Sequence, residues 1–196
     1  MLHDDVLAHV SALPAGSIRD AYLKFISSAG ERAVRRDGGP EHITASCFVF
    51  SPDLRRTLLC FHGKGRFWVQ FGGHLEAHDT TLASAAVREA REESGISDLA
   101  LVSDAIVDLD RHELGGGFAC TAHWDVGFVA LADLDAAVIV SDESEDVRWF
   151  DVDALPADAA AGLAQRIEHA LRAVVRAHLA QSDEAVYAPP DERTER

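Results

Sequence analysis

The chain has 196 residues, 47% of them hydrophobic, and a formal net charge of −15 at pH 7. That length fits one domain with room for an appendage, and the acidic balance argues against nonspecific nucleic-acid binding, which needs a basic surface. No run of about 18 apolar residues occurs, so no membrane span is expected. The acidic start MLHDDVLAHV lacks the basic region of a secretory signal. Cys47, Cys60 and Cys120 are scattered without a C-x-x-C pair, which fits buried reduced thiols in a cytoplasmic protein better than disulfides or zinc ligands.

Residues 3–29 read as two helical pieces broken at Pro14-Ala15-Gly16, with Ser17 as a cap for the second. Arg32–Pro40 is a charged linker ending in the turn Asp37-Gly38-Gly39-Pro40. This extension is expected to pack on the core or on a second copy, so a homodimer is possible. Ile43–Phe50 is a strand closed by Ser51-Pro52-Asp53, Thr57–Phe61 its partner, and Arg66–Phe71 a short strand running into glycines. Thr80 or Thr81 is placed to cap a helix that runs to Ser94, where Gly95 suits a left-handed stop. Leu99–Asp110 and Ala122–Leu131 read as longer strands around the glycines at 115–117, and Val147–Phe150 as another. Ala157–Ala180 reads as a long amphipathic helix. The polar tail from Gln181 is expected to be disordered.

The helix after the glycines carries the chemistry. It ends Arg88-Glu89-Ala90-Arg91-Glu92-Glu93, and residues three and four apart share a helix face. Glu89, Glu92 and Glu93 therefore converge. Like charges so placed repel, and a hard divalent cation such as Mg²⁺ or Mn²⁺ turns that repulsion into a binding site.

The segment GGHLEAHDTTLASAAVREAREESGI resembles the Nudix box, G-x5-E-x7-R-E-U-x-E-E-x-G-U with U aliphatic. Arg88, Glu89, Ala90, Glu92, Glu93, Gly95 and Ile96 match its second half in order. The first half departs: Asp79 stands in place of glutamate, and eight residues, not seven, separate it from Arg88. The stretches His42–Ser46, Gly65–His74, Val147–Phe150 and Leu155-Pro156 are similar to a Nudix subgroup with a GGH turn and a lengthened box.

The resemblance implies an α/β/α sandwich with a mixed sheet over residues 41–180, a helical extension at 1–40 and a tail at 181–196. It implies a hydrolase that cuts the phosphoanhydride of a nucleoside diphosphate linked to another moiety. Mg²⁺ or Mn²⁺ would be held by Glu89, Glu92, Glu93 and the Gly73 carbonyl. Arg88 would form an ion pair that orients a box carboxylate. The general base would be Glu93, or alternatively a carboxylate of the acidic loop, Glu145 or Glu143. Two other readings share the fold. One is a nucleotide sensor that does not cut. The other is an isomerase of the isopentenyl diphosphate type, which resembles a cysteine-bearing turn where this chain has Gly72-Gly73-His74.

Further candidates are more ambiguous. Arg66 and Lys64 can pair with phosphate or lie on the surface. Trp68, Phe71 and Trp124 can stack on a base or fill the core, the commoner fate of strand aromatics. His74 and His78 can contact phosphate or cap the turn. Asp108, Asp110 and His112 alternate along one strand, and His123 and Asp125 along the next. They make a polar pocket or second metal site, or are simply satisfied strand residues. The substrate expected is a small nucleotide-like molecule, with Arg66, Trp68 and His74 as candidate contacts.

Overall fold

Pro14 and Gly16 interrupt the first helical pattern, and the two pieces become α1 (Leu2–Ala12) and α2 (Ser17–Ala29). The computed structural model describes residues 1–115, 120–140 and 144–186, with side chains through 177. Ser17 is the first residue of α2 and Gly16 its cap, without a side-chain cap bond. A 3-10 turn at Gly30–Val34 leads into β1 (Glu41–Phe50), β2 (Arg56–His62), β3 (Phe67–Val69) and β4 (Phe71–His74). Helix α3 (Leu82–Ser94), β5 (Asp108–Glu113), β6 (Ala122–Leu131), β7 (Ser144–Asp151) and α4 (Leu163–Val186) complete the chain.

The strands form one mixed seven-stranded sheet. β1 and β6 run parallel over ten residues, from Glu41↔Ala122 to Phe50↔Leu131. The other edge of β1 is shared: Val49 and Phe50 pair with β2, and Thr44–Cys47 pair with β4. The sheet therefore splays where the chain bends from β3 into β4. Alternation along the strands sorts side chains to two faces. Ala45, Cys47, Val126 and Phe128 join Leu82, Ala86 and Ala90 of α3, together with Val6, Val10 and Ile26 of the N-terminal helices. Phe48, Phe50 and Val129 join Leu163, Ile167 and Val174 of α4. This is a sheet between helical layers. The extension buries its apolar residues on its own chain, since Val6, Val10, Tyr22 and Ile26 are all fully buried.

Several boundaries differ from expectation. The strand expected at 66–71 is two, because Phe67–Val69 pairs with β2 while Phe71–His74 crosses to β1. The strand expected at 99–110 begins only at Asp108; before it the chain touches β6 through the isolated bridge Leu101↔Ala130 and through Val107 N–H donating to the Gly127 carbonyl. The last helix starts at Leu163 and not at Ala157. The preceding residues dock on β3 instead, with Trp68 N–H donating to the Asp158 carbonyl and Ala160 N–H to the Trp68 carbonyl. That helix also carries on through Val186, past the expected end at Ala180. Residues 181–186 contain neither glycine nor proline to stop it. Gly116, Gly117 and Glu143 lie outside the described residues, as do positions 187–196. No helix among the described residues is long and apolar enough to cross a membrane.

Candidate active site

Helix α3 is defined at both ends. Thr81 Oγ1 accepts from Ser84 N–H at 3.0 Å, and Ser84 Oγ accepts from Thr81 N–H at 3.0 Å, a reciprocal cap. A second acceptor comes from α1: Asp5 Oδ2 takes the Leu82 N–H at 2.8 Å. An acid there also suits the positive end of the helix dipole. Gly95 ends the helix at φ 74°, ψ 2°, a left-handed position that penalises a Cβ.

The last turns of α3 face the Gly72–Gly73 bend. Glu93 is 7% exposed, and its Oε2 accepts from Gly72 N–H at 2.9 Å. Glu89 presses against Gly73 so closely that a Cβ there would lie 2.8 Å from its carboxylate. A side chain at 73 would push Glu89 away from the bend. Glu92 points outward, with 60% of its side chain exposed, and accepts from Arg88 Nη1 at 3.0 Å.

Arg88 is the hub. Its Nε and Nη2 form a fork on Asp79, at 3.1 and 2.9 Å. Nη1 also donates to Glu89 at 2.9 Å, and Nη2 to the His74 carbonyl at 3.0 Å. Asp79 thus reaches the arginine despite its shorter side chain and the extra residue before Arg88. Its Oδ2 is further fixed by Glu76 N–H at 2.8 Å. Burial opposes ionisation of Asp79, but Arg88 and that N–H hold its pKa below the usual carboxylate value, and Asp79 in turn raises that of Arg88. A cleft of about 1060 Å³ opens between the chain's start and the box loop, bordered by Met1, Arg35, Arg36, Glu76 and Asp79.

The other candidates fall elsewhere. Trp68 is 7% exposed and packs edge-on against Phe61 and Phe150. It packs as a core residue, the commoner of the two fates expected for it. Phe71 and Trp124 are also buried. Arg66 is ion-paired with Glu145 at the start of β7 and lies 5.0 Å over the Phe61 ring, so two candidates neutralise each other.

The alternating acids of β5 and β6 do share a face, where α4 supplies their counter-charge. Arg166 donates to Asp108 at 2.7 Å and Asp125 at 2.5 Å. Thr44 and Ser46 hydroxyls donate to Asp125 at 2.8 and 2.6 Å. Burial disfavours the Asp125 charge, but Arg166 and Ser46 bring its pKa below the ordinary carboxylate value. These acids are satisfied scaffold residues. The strand alternation announced the face, but nothing in the sequence pointed to Arg166.

His74 is not at the mouth of the bend but inside a cluster with His42, His123 and Cys120. Burial, then the neighbouring His42 and Arg36, holds its pKa at about 4. The nearness of Cys120 to the GGH turn, 46 residues apart in sequence, is absent from the sequence pattern; the two meet in space at 3.8 Å.

A family model for the NUDIX domain matches residues 40–173. The chain belongs to the NUDIX domain family. Solved structures share its fold at low identity. A C. elegans Ap4A hydrolase complex is 19% identical, covering 71% of this chain and 98% of its own, at TM-score 0.55. The E. coli dihydroneopterin triphosphate pyrophosphohydrolase is 20% identical over 66% of this chain and 93% of its own, at TM-score 0.54. The NUDIX domain of Shewanella oneidensis NrtR, solved with ADP ribose, is 17% identical over 77% and 97%, at TM-score 0.54. A comparison with curated proteins by sequence gives no match.

Proposed function

We propose that this Nudix pyrophosphohydrolase is a Mg²⁺- or Mn²⁺-dependent enzyme that cleaves a phosphoanhydride in a nucleoside diphosphate linked to another moiety. One observation carries the reading: Glu89 and Glu93 meet the Gly72–Gly73 bend while Asp79 and Arg88 lock together beside them. The donor set fits the ion. Carboxylate and backbone oxygens are the ligands hard divalent cations prefer, and the missing Cβ at Gly73 leaves Glu89 room against the backbone. Glu89, Glu92, Glu93 and the Gly73 carbonyl would hold it. The bound ion would neutralise diphosphate oxygens and acidify the attacking water.

Glu93 takes the water's proton as the water oxygen bonds to phosphorus. The anhydride P–O bond breaks, and the leaving group departs as a phosphate or nucleoside monophosphate. Glu93 suits this role because burial and the Gly72 N–H give its carboxylate one orientation. Glu145, the alternative base, is engaged with Arg66. Arg88 positions the box acids and does not touch substrate. The cleft beside the box loop suits a nucleotide derivative in size, and Arg36 on its wall suits phosphate, while Arg35 there is forked on Asp37.

The test is turnover of a nucleotide panel with Mg²⁺ or Mn²⁺, products resolved by mass. The panel should include dinucleoside polyphosphates, ADP-sugars and pterin triphosphates, the kinds of compound named for the structurally similar proteins. Metal-dependent release of a monophosphate or pyrophosphate is expected. Tight binding with the ligand recovered intact would identify a sensor instead.

A further inference from the structure

We propose that His42, His74, His123 and Cys120 form a second metal site, separate from the box carboxylates, that takes a transition ion of the zinc class. One potential ligand atom from each lies within 4.8 Å of the others. The backbone builds the site: His42 and His123 are direct partners on the parallel β1–β6 ladder. His74 ends β4, which pairs with β1 through Thr44, and Cys120 lies two residues before β6 begins. The three imidazoles meet tilted or edge-on, at centroid distances of 4.8, 5.0 and 5.1 Å.

The second observation is polar satisfaction. His42 is fully buried, yet neither of its ring nitrogens makes a hydrogen bond. The Gly39 backbone influences His42 electrostatically but does not meet hydrogen-bond geometry. The His123 Nε2 is likewise buried and unpartnered. Buried polar atoms nearly always find partners, and an exception calls for a cause such as an ion. Two rungs further along the same ladder, Asp125 is saturated by two hydroxyls and a guanidinium. The fold therefore satisfies buried polar groups on this face and leaves the histidine end open.

The donor chemistry selects the ion. Three imidazoles and a thiolate suit borderline-soft Zn²⁺ in a tetrahedron and suit Mg²⁺ poorly. Ordinary zinc bond lengths put a sulfur and a nitrogen ligand about 3.6 Å apart in a tetrahedron; Cys120 Sγ and His74 Nε2 are 3.8 Å apart. Binding needs one deprotonation: the Cys120 thiol releases its proton to solvent while three neutral imidazoles give lone pairs. The His74 carbonyl accepts from Arg88, so an ion there would brace the turn that holds the box arginine.

The test uses the full chain, stripped with chelator and titrated with Co²⁺ in excess Mg²⁺. The expected result is one tight Co²⁺ per chain with a thiolate-to-cobalt charge-transfer band and tetrahedral visible bands, displaced by Zn²⁺. Cys120→Ser, at a half-buried position, should abolish the charge-transfer band. His123→Ala should weaken binding by more than the ~10–100-fold that loss of an outer-shell partner costs. Glu93→Gln should leave the band intact, so the result is independent of the hydrolase reading. Absence of the band in the parent, or its survival in Cys120→Ser with loss in Cys60→Ser, overturns the proposal. Folded Cys120→Ser, checked by circular dichroism, with unchanged Co²⁺ spectra overturns it equally.

Discussion

Helices α3 and α4 pack on one sheet and each brings an arginine to a group of acids, strand acids under α4 and acids of the box loop and the helix itself at α3, and the two groups are finished differently. Under α4, Asp125 is buried and takes Thr44, Ser46 and Arg166 together, while Arg166 also serves Asp108. At α3, one guanidinium is divided among Asp79, Glu89 and Glu92, with Glu76 at 3.9 Å, and the Glu92 side chain stands 60% exposed. Saturation makes a scaffold, because each charge already has its partners within reach. Acids crowded on a shared cation at an open bend have the arrangement that a further cation relieves.

The sharpest way to break this contrast is at Glu93. Glu93→Gln keeps an oxygen for Gly72 N–H but cannot take a proton, so turnover should fall ~10²–10⁴-fold, the usual contribution of a general base. The melting temperature should hardly move. A variant that keeps full turnover removes Glu93 from the chemistry. Arg166→Ala should do the reverse: stranding buried Asp125 and Asp108 should destabilise the fold by ~3–5 kcal/mol, read by urea titration. A loss under ~1 kcal/mol would show that the α4 acids are not the scaffold we describe.

Acid should reach the histidine end of the sheet before it reaches either acid group. In metal-free protein, burial first and then neighbouring imidazoles hold His74 at about 4 and His123 at about 3, below the ordinary 6.5. His42, His112 and Arg36 add to that depression, while Asp125 opposes it at His123. The unfolded chain takes up protons that the folded chain refuses, and stability rises with pH wherever that holds. The histidine contribution is therefore complete above pH ~6.5 and is lost as pH falls through about 4 for His74 and about 3 for His123. Asp79 and Asp125, whose values are lowered from 3.8, lose their contribution only as pH falls past about 3.8, after most of the histidine loss has begun. Denaturation midpoints that stay level between about pH 7 and 5 would contradict this. The smallest effect is expected at Asp5→Ala, which removes one acceptor from the start of α3 while Thr81 remains, a loss of ~1 kcal/mol.

How much of this was legible follows from the range of each interaction. The Thr81 cap, the Gly95 stop and the shared helix face of Glu89 and Glu93 depend on near neighbours and on helical period, and a sequence carries both; that those glutamates meet the glycine bend was implied by the family resemblance alone. Strand β6 was readable end to end, from Ala122 to Leu131, because β-branched and aromatic residues dominate it and its polar residues, His123 and Asp125, alternate onto one face. The start of α4 was not, since residues after Pro156 prefer hydrogen bonds to Trp68 over a further helical turn. Trp68 went to the core and Arg66 to Glu145 for the same reason: their partners come from β7 and the segment before α4, far along the chain. The Asp79–Arg88 fork was hidden by a spacing that breaks the box pattern. Arg166 under Asp125 had no local signal at all.

That fork couples two lengths. Asp79 has one methylene fewer than the glutamate of the box pattern and one more residue between it and Arg88, and its carboxylate is only 2% exposed. Loop and side chain together set the reach to the guanidinium, so neither can drift alone. A longer acid at 79 would overreach a guanidinium already met at 2.9 and 3.1 Å, and a shorter loop drags the carboxylate off its partner. Only a paired change, lengthening one as the other contracts, leaves the clamp closed.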